Sequence, residues 1–147
     1  KGGSMTRLKK FLGILTLVLA GSLFAQTPVG MWQNIDDETG KPKAHIEIYE
    51  MNGVLYGKIV KLLNPDEPNP KCTKCPGEFK DKPVEGLQIM WGLKKNGNEY
   101  TGGKILDPKS GNIYSCKIEL LGPDKLKVRG FLGVSLLGRT QYWYRIK

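Results

Sequence analysis

The sequence predicts an all-β protein, a single antiparallel up-and-down barrel of about eight strands. Three observations predict it. Glycine and proline are frequent, at 19 and 9 of 147 residues, and no long stretch after residue 30 keeps a helical period, which suits short strands joined by tight turns. Most strand-like runs alternate apolar with polar residues, so each offers one face to a core and one to water. The chain also ends on an aromatic-rich run, Gly130–Arg145, that would be a sticky free edge unless it paired. The expected partner is the first strand-like run, Val29–Ile35, and that pairing would close the sheet. A strongly twisted sheet of eight strands closes readily on itself. For about 120 residues from Gln26 on, a barrel fits better than the alternative, a two-sheet sandwich.

Ahead of the barrel lies a leader. Lys1-Gly2-Gly3-Ser4 precedes Met5 and reads as a cloning remnant, residues 1–4, outside fold reasoning. Residues 5–25 then combine a basic start (Arg7, Lys9, Lys10), an apolar run from Phe11 and a small-residue exit. That order is the pattern of a secretory signal peptide. The apolar run reaches about 15 residues, short of the roughly 20 that cross a bilayer as a helix. Cleavage after Ala25 is expected, with Ser22 second. Leu19-Ala20-Gly21-Ser22 has serine where a lipoprotein box needs cysteine, so no lipid anchor is expected. The expected mature protein, residues 26–147, is periplasmic or secreted and does not span the membrane. The formal charge of +9 overstates the barrel, because four of the 23 basic residues lie in the leader, leaving 19 against 14 acids. A surplus of five spread over many strands excludes a nucleic-acid footprint, which needs clustered basic residues.

Taken in order, Ala44, Ile46 and Ile48 alternate with His45, Glu47 and Tyr49 in the second strand. Asn52-Gly53 then forms a hairpin turn, and Val54–Leu62 returns. From Asn64 to Pro83 the alternation stops, and Pro65, Pro68, Pro70 and Pro76 crowd together with two cysteines, so this 64–83 segment is a loop rather than a central strand. Gly86–Leu93 resumes as a strand, a second Asn-Gly turn at Asn96-Gly97 reverses it, and Glu99–Leu106 returns. Asp107-Pro108-Lys109-Ser110-Gly111-Asn112 carries turn chemistry throughout. Ile113–Leu120 follows, with Tyr114, Cys116, Ile118 and Leu120 on one face. Gly122-Pro123-Asp124 turns again, and Leu126 and Val128 alternate with basic residues.

Several stretches make the chain resemble the DUF2147 family of small secreted bacterial proteins. They are Gly30-x-Trp32, Asp36-Asp37-x-Thr39-Gly40-Lys41, Tyr56–Val60, Gly103–Pro108 with Gly111 and Tyr114, Leu126–Gly130, and Gly138-Arg139-Thr140-Gln141-x-Trp143-x-Arg145. That family is similar in fold to lipocalins, in which a Gly-x-Trp on the first strand packs under an arginine at the end of the barrel. The resemblance implies a lipocalin-like barrel, a structural plug of Arg145 on Trp32, and a carrier of a small molecule.

As a barrel, the chain would turn Trp32, Ile46, Ile48, Leu55, Ile59, Leu87, Ile89, Trp91, Tyr114, Ile118, Leu126, Val128 and Trp143 inward. These are the candidate ligand contacts, with Tyr114, Tyr142 and Arg139 as polar anchors near the mouth. Cys72-Thr73-Lys74-Cys75 could serve as a zinc knuckle or a redox pair. A knuckle needs four convergent ligands, and only mid-strand Cys116 and His45 remain; a redox pair normally opens a helix, and nothing helical is expected after Cys75. A local Cys72–Cys75 disulfide is expected instead, as suits a secreted protein, with Cys116 a buried free thiol. His45 has no nucleophile beside it, and Asp36-Asp37-Glu38 is a turn cluster rather than a separated catalytic pair. No catalytic residue, metal or cofactor is expected. The leading reading is a binding protein for a small hydrophobic or amphipathic molecule. The alternative is a cell-envelope interaction module that uses the 64–83 loop and the basic surface.

Overall fold

Alternation along each strand becomes an inside and an outside. The computed structural model describes residues 26–147, and the leader with its cleavage site lies outside the described residues. Eight strands run β1 (Gly30–Ile35), β2 (Pro42–Met51), β3 (Val54–Leu62), β4 (Gln88–Asn96), β5 (Glu99–Leu106), β6 (Ile113–Leu120), β7 (Lys125–Phe131) and β8 (Gly138–Arg145). They hydrogen-bond in sequence order into one closed antiparallel barrel. Cross-strand neighbours share a face, so the register defines the interior. Trp32 pairs with Ile46 and Ile46 with Ile59. On the other side Leu120 pairs with Leu126 and Leu126 with Trp143. All of these but the half-buried Leu120 are buried.

The barrel has two unlike ends. The β2–β3, β4–β5 and β6–β7 turns form the base, together with both ends of the described chain. The β1–β2, β5–β6 and β7–β8 turns and the long β3–β4 loop form the rim. Closure between β1 and β8 is short, through Trp32 with Arg145 and Gln33 with Tyr144. Arg145 makes it firm. Its guanidinium lies 4.4 Å over the Trp32 ring and donates to the carbonyls of Pro123 (2.7 Å), Val29 (3.0 Å) and Thr27 (2.9 Å). Gly30 is needed for this, because a Cβ there would sit 2.6 Å from Arg145 Nη1 and its φ is +139°.

The closing strand is shorter than the sequence suggests. Gly130 and Phe131 end β7, residues 132–137 form a turn, and β8 begins at Gly138. Arg129 holds that turn by donating to the Ser135 carbonyl from Nε (2.9 Å) and Nη2 (2.6 Å). Leu132, Val134 and Leu136 recur at period two with Gly133 and Ser135 between them, so alternation alone could not distinguish a strand from a reversal.

The β3–β4 loop folds onto the outer wall. Cys72 and Cys75 are disulfide-bonded, Cys72 N donates to Lys82 O at 2.8 Å, and Lys71 bridges to Pro83. A three-residue 3₁₀ turn, Gly77–Phe79, follows the second cysteine, a short helical element that the sequence reading did not expect. It brings Phe79 to stack on Trp91 with ring centroids 5.5 Å apart. The loop also sits on the β5–β6 turn at Gly111, where any Cβ would overlap the Lys74 carbonyl and φ is +79°. Under this cover Cys72, Cys75, Val84 and Leu106 are buried.

Candidate functional site

The barrel interior is filled unevenly from base to rim. Trp32, Ile46, Ile48, Leu55, Leu93, Ile118, Leu126 and Trp143 occupy the base half, each at 1% exposure or less. Nearer the rim Ile59 and Met90 are also buried, but several other inward positions are smaller or more polar. Gly103 pairs with Cys116, Cys116 with Gly130, and Gly130 with Arg139. A Cβ on Gly130 would meet Ile105 Cγ2 and Tyr114 Cβ only at 3.6 Å, which is ordinary contact distance. Ile105, Tyr114 and Gln141, all inward by register, are half-buried rather than sealed. The thiol of Cys116 touches Met90 Sδ at 3.9 Å, and burial pushes it up to about 12.

Two inward amides were not singled out from the sequence. Gln141 Oε1 accepts from Trp143 Nε1 at 3.2 Å. Asn34 pairs with Ala44, and its Oδ1 is buried without a hydrogen-bond partner among the described residues. Such an acceptor costs about 1–3 kcal/mol unless something donates to it. The available signal was the period of two, since Trp32-x-Asn34 and Gln141-x-Trp143 each place the amide on the tryptophan's face.

Among the expected contacts, Trp32, Ile46, Ile48, Leu55, Ile59, Tyr114, Ile118, Leu126, Val128 and Trp143 do face inward. Trp91 and Tyr142 do not, while Leu87 and Ile89 are buried in the core. Met90 takes an inward position in β4, against Gly57 and Cys116, and its neighbour Trp91 turns outward. Trp91 pairs with Lys104, whose Nζ donates to the outer Ser115 hydroxyl. The cause is twofold: β3 and β4 slip register beside Gly57, and the folded loop gives the outer wall its own apolar cover. Tyr142 pairs with Lys127 on the outer face, 42% exposed, under the Lys125 ammonium at 4.6 Å. Arg139 lies in an inward register at the rim, but its guanidinium is ion-paired with Asp37 of the β1–β2 turn.

Two rim turns are built alike. Gly40 N donates to Asp36 O and Gly111 N to Asp107 O, each at 2.8 Å. Asp36 Oδ1 accepts from the amides of Glu38 and Thr39, and Asp107 Oδ1 accepts from Lys109 N. The amide hydrogen bonds from Glu38 and Thr39, helped by Lys43 and Lys109, hold the Asp36 carboxyl below its ordinary value. The shared Asp-x-x-Ser/Thr-Gly spacing was visible in the sequence and marks turns rather than an acid–base pair. His45 is on the outer face, with Nε2 3.3 Å from Gln33 Oε1. Among the described residues, no three His, Cys, Asp or Glu side chains gather as a metal site requires. No helix among them is long and apolar enough to cross a membrane.

In fold the chain is similar to a solved structure from the human pathogen Helicobacter pylori, described as belonging to the lipocalin family. The TM-score is 0.74 at 19% sequence identity, covering 84% of this chain and 85% of that one. No curated protein sequence matches the chain. Residues 30–145, from the glycine under Arg145 to Arg145 itself, match the family model described as an uncharacterized protein conserved in bacteria, DUF2147, and the chain belongs to that family.

Proposed function

We propose that the protein is a lipocalin-like carrier that holds one small hydrophobic or amphipathic molecule in the rim half of its barrel, acting in the periplasm or outside the cell. The observation that carries this reading is the uneven interior. Bulky side chains fill the base half, while the rim half, beside the buried Ile59 and Met90, is lined by Gly130, Ala44, Cys116 and the half-buried Tyr114, Ile105 and Gln141. Small eight-stranded barrels either fill with side chains or hold one small ligand. This one is sealed at its base and less bulky towards its rim. The unpartnered Asn34 Oδ1 favours a ligand with a hydroxyl or amide N–H to donate, so an amphipathic molecule suits it better than a pure hydrocarbon.

No bond is made or broken in this reading. The thiol of Cys116 stays protonated up to about 12 and is a poor nucleophile, and His45 is spent on Gln33. Titration with an environment-sensitive apolar dye tests the proposal, followed by displacement with extracts analysed by mass spectrometry. Gly130→Leu should fill the rim half and weaken dye binding by roughly tenfold, the effect of about 1.4 kcal/mol. A wild-type barrel that takes up neither dye nor extracted molecule would end the carrier reading.

A further inference from the structure

We propose that the rim half takes an uncharged amphiphile whose head group donates a hydrogen bond, an alcohol or primary amide rather than a fatty-acid anion. This ligand class rests on the carrier reading above. The last pair between β1 and β8 is Gln33 with Tyr144. Asn34 and Gln141 lie just beyond it, on the stretch where the two strands part, and both are inward by their pairing with Ala44 and Val128. Asn34 Oδ1 is buried with no donor among the described residues. Gln141 Oε1 already accepts from Trp143 Nε1. Asn34 therefore offers an acceptor, and Gln141 keeps its amide N–H groups to donate. A hydroxyl or primary amide answers both, giving a hydrogen to Asn34 and accepting one from Gln141. An ester or a carboxylate only accepts, so beside Asn34 Oδ1 it would set one acceptor against another.

Charge works against the anion. Among the described residues no charged side chain is buried, so the interior holds no counter-charge for a carboxylate. An ionised group drawn in without a partner is costly. Arg139 stands in an inward register at the rim, paired with Gly130, but its guanidinium is ion-paired with Asp37. A ligand carboxylate that took Arg139 would replace one carboxylate by another and leave Asp37 alone, so the exchange gains little. Asp37 is in this way a specificity-determining residue. It keeps the rim arginine occupied, and the head group meets the neutral pair, Asn34 and Gln141.

The test uses the chain from Gln26 on, which holds every strand of the closed barrel. Displacement of an environment-sensitive apolar dye is measured at neutral pH with three probes of matched chain: octanol, methyl octanoate and octanoate. Octanol should displace the dye at roughly fivefold lower concentration than methyl octanoate, the effect of about one hydrogen bond. Octanoate should be weaker than both. Asn34→Leu should bring octanol and methyl octanoate level without lowering the melting temperature of the unliganded protein, since it removes a buried acceptor that nothing answers. Asp37→Asn, a change on an exposed turn, should release Arg139 and strengthen octanoate binding by roughly fivefold or more while leaving octanol unchanged. Three results would overturn this ligand class and leave the carrier reading standing: octanoate matching octanol on the wild type, an alcohol preference that survives in Asn34→Leu, or octanoate binding unmoved by Asp37→Asn. A barrel that takes up neither dye nor any probe would end the carrier reading, and this class with it.

Discussion

Two arginines on β8, six residues apart, hold opposite ends of the barrel by different means. At the base, Arg145 stacks on Trp32 and donates to three backbone carbonyls. Those carbonyls cannot move away without unmaking the closure of β1 on β8. At the rim, Arg139 meets a single carboxylate, Asp37, and the two side chains are 68 and 50% exposed. Its partner is a solvated side chain on a turn. Residue type is the same and strand is the same, so partner and burial decide the difference. The base is a plug, and the rim is a boundary left open to change.

That contrast can be broken by measurement, starting with the largest effect. Trp32→Ala removes a fully buried base residue and should cost about 3–5 kcal/mol in denaturant unfolding. A much smaller loss would mean the base is not the packed half. Cys116, between the halves, provides a pH readout. Burial raises its pKa from 9.0 to about 12, so the unfolded chain loses this proton at a lower pH than the folded one. Its contribution is complete below about 9 and disappears as pH rises towards about 12, up to about 4 kcal/mol in all. Wild type should therefore lose more stability over that window than Cys116→Val, and the native thiol should resist alkylation at pH 8. Rapid alkylation would show that the rim half is wet down to Cys116.

The arginines themselves come next. Arg145→Met keeps some packing on Trp32 but leaves three carbonyls without their donor, and about 2–3 kcal/mol should go. Arg139→Met should change unfolding by less than about 1 kcal/mol, and the difference should shrink in high salt, as exposed ion pairs do. Equal losses from the two substitutions would erase the distinction between plug and boundary.

Much of the fold was legible because its signals are local. Asn52-Gly53 and Asn96-Gly97 announced hairpins, and Asp107 to Asn112 announced its turn. Gly30-x-Trp32 with Arg145 indicated how the ends would meet. The interior was legible in β1–β3 and β6–β8, where period two holds over most of each strand, as in Trp32, Ile46, Leu126 and Trp143. It failed in β4. There the register slip beside Gly57 and the loop cover reverse what alternation implies for Trp91. Tyr142 was misread for a different reason: its neighbour Trp143, one position on, takes the inward face. Asn34 and Gln141 went unremarked because amides do not stand out in a search for apolar faces, although their spacing from tryptophan was in view.

By itself the sequence determined the strand count, the Asn52-Gly53, Asn96-Gly97 and Asp107–Asn112 turns and the Cys72–Cys75 pairing, and family resemblance implied the closing contact of Arg145. Each of these depends on residues near in sequence or on one strong motif. Only the tertiary structure decided which half of the barrel is filled, where the 64–83 loop lies and what Arg139 touches. It also decided that the apolar run after Gly130 is an exposed turn rather than a strand. Those outcomes depend on how distant segments share space, and period and composition hold no record of that.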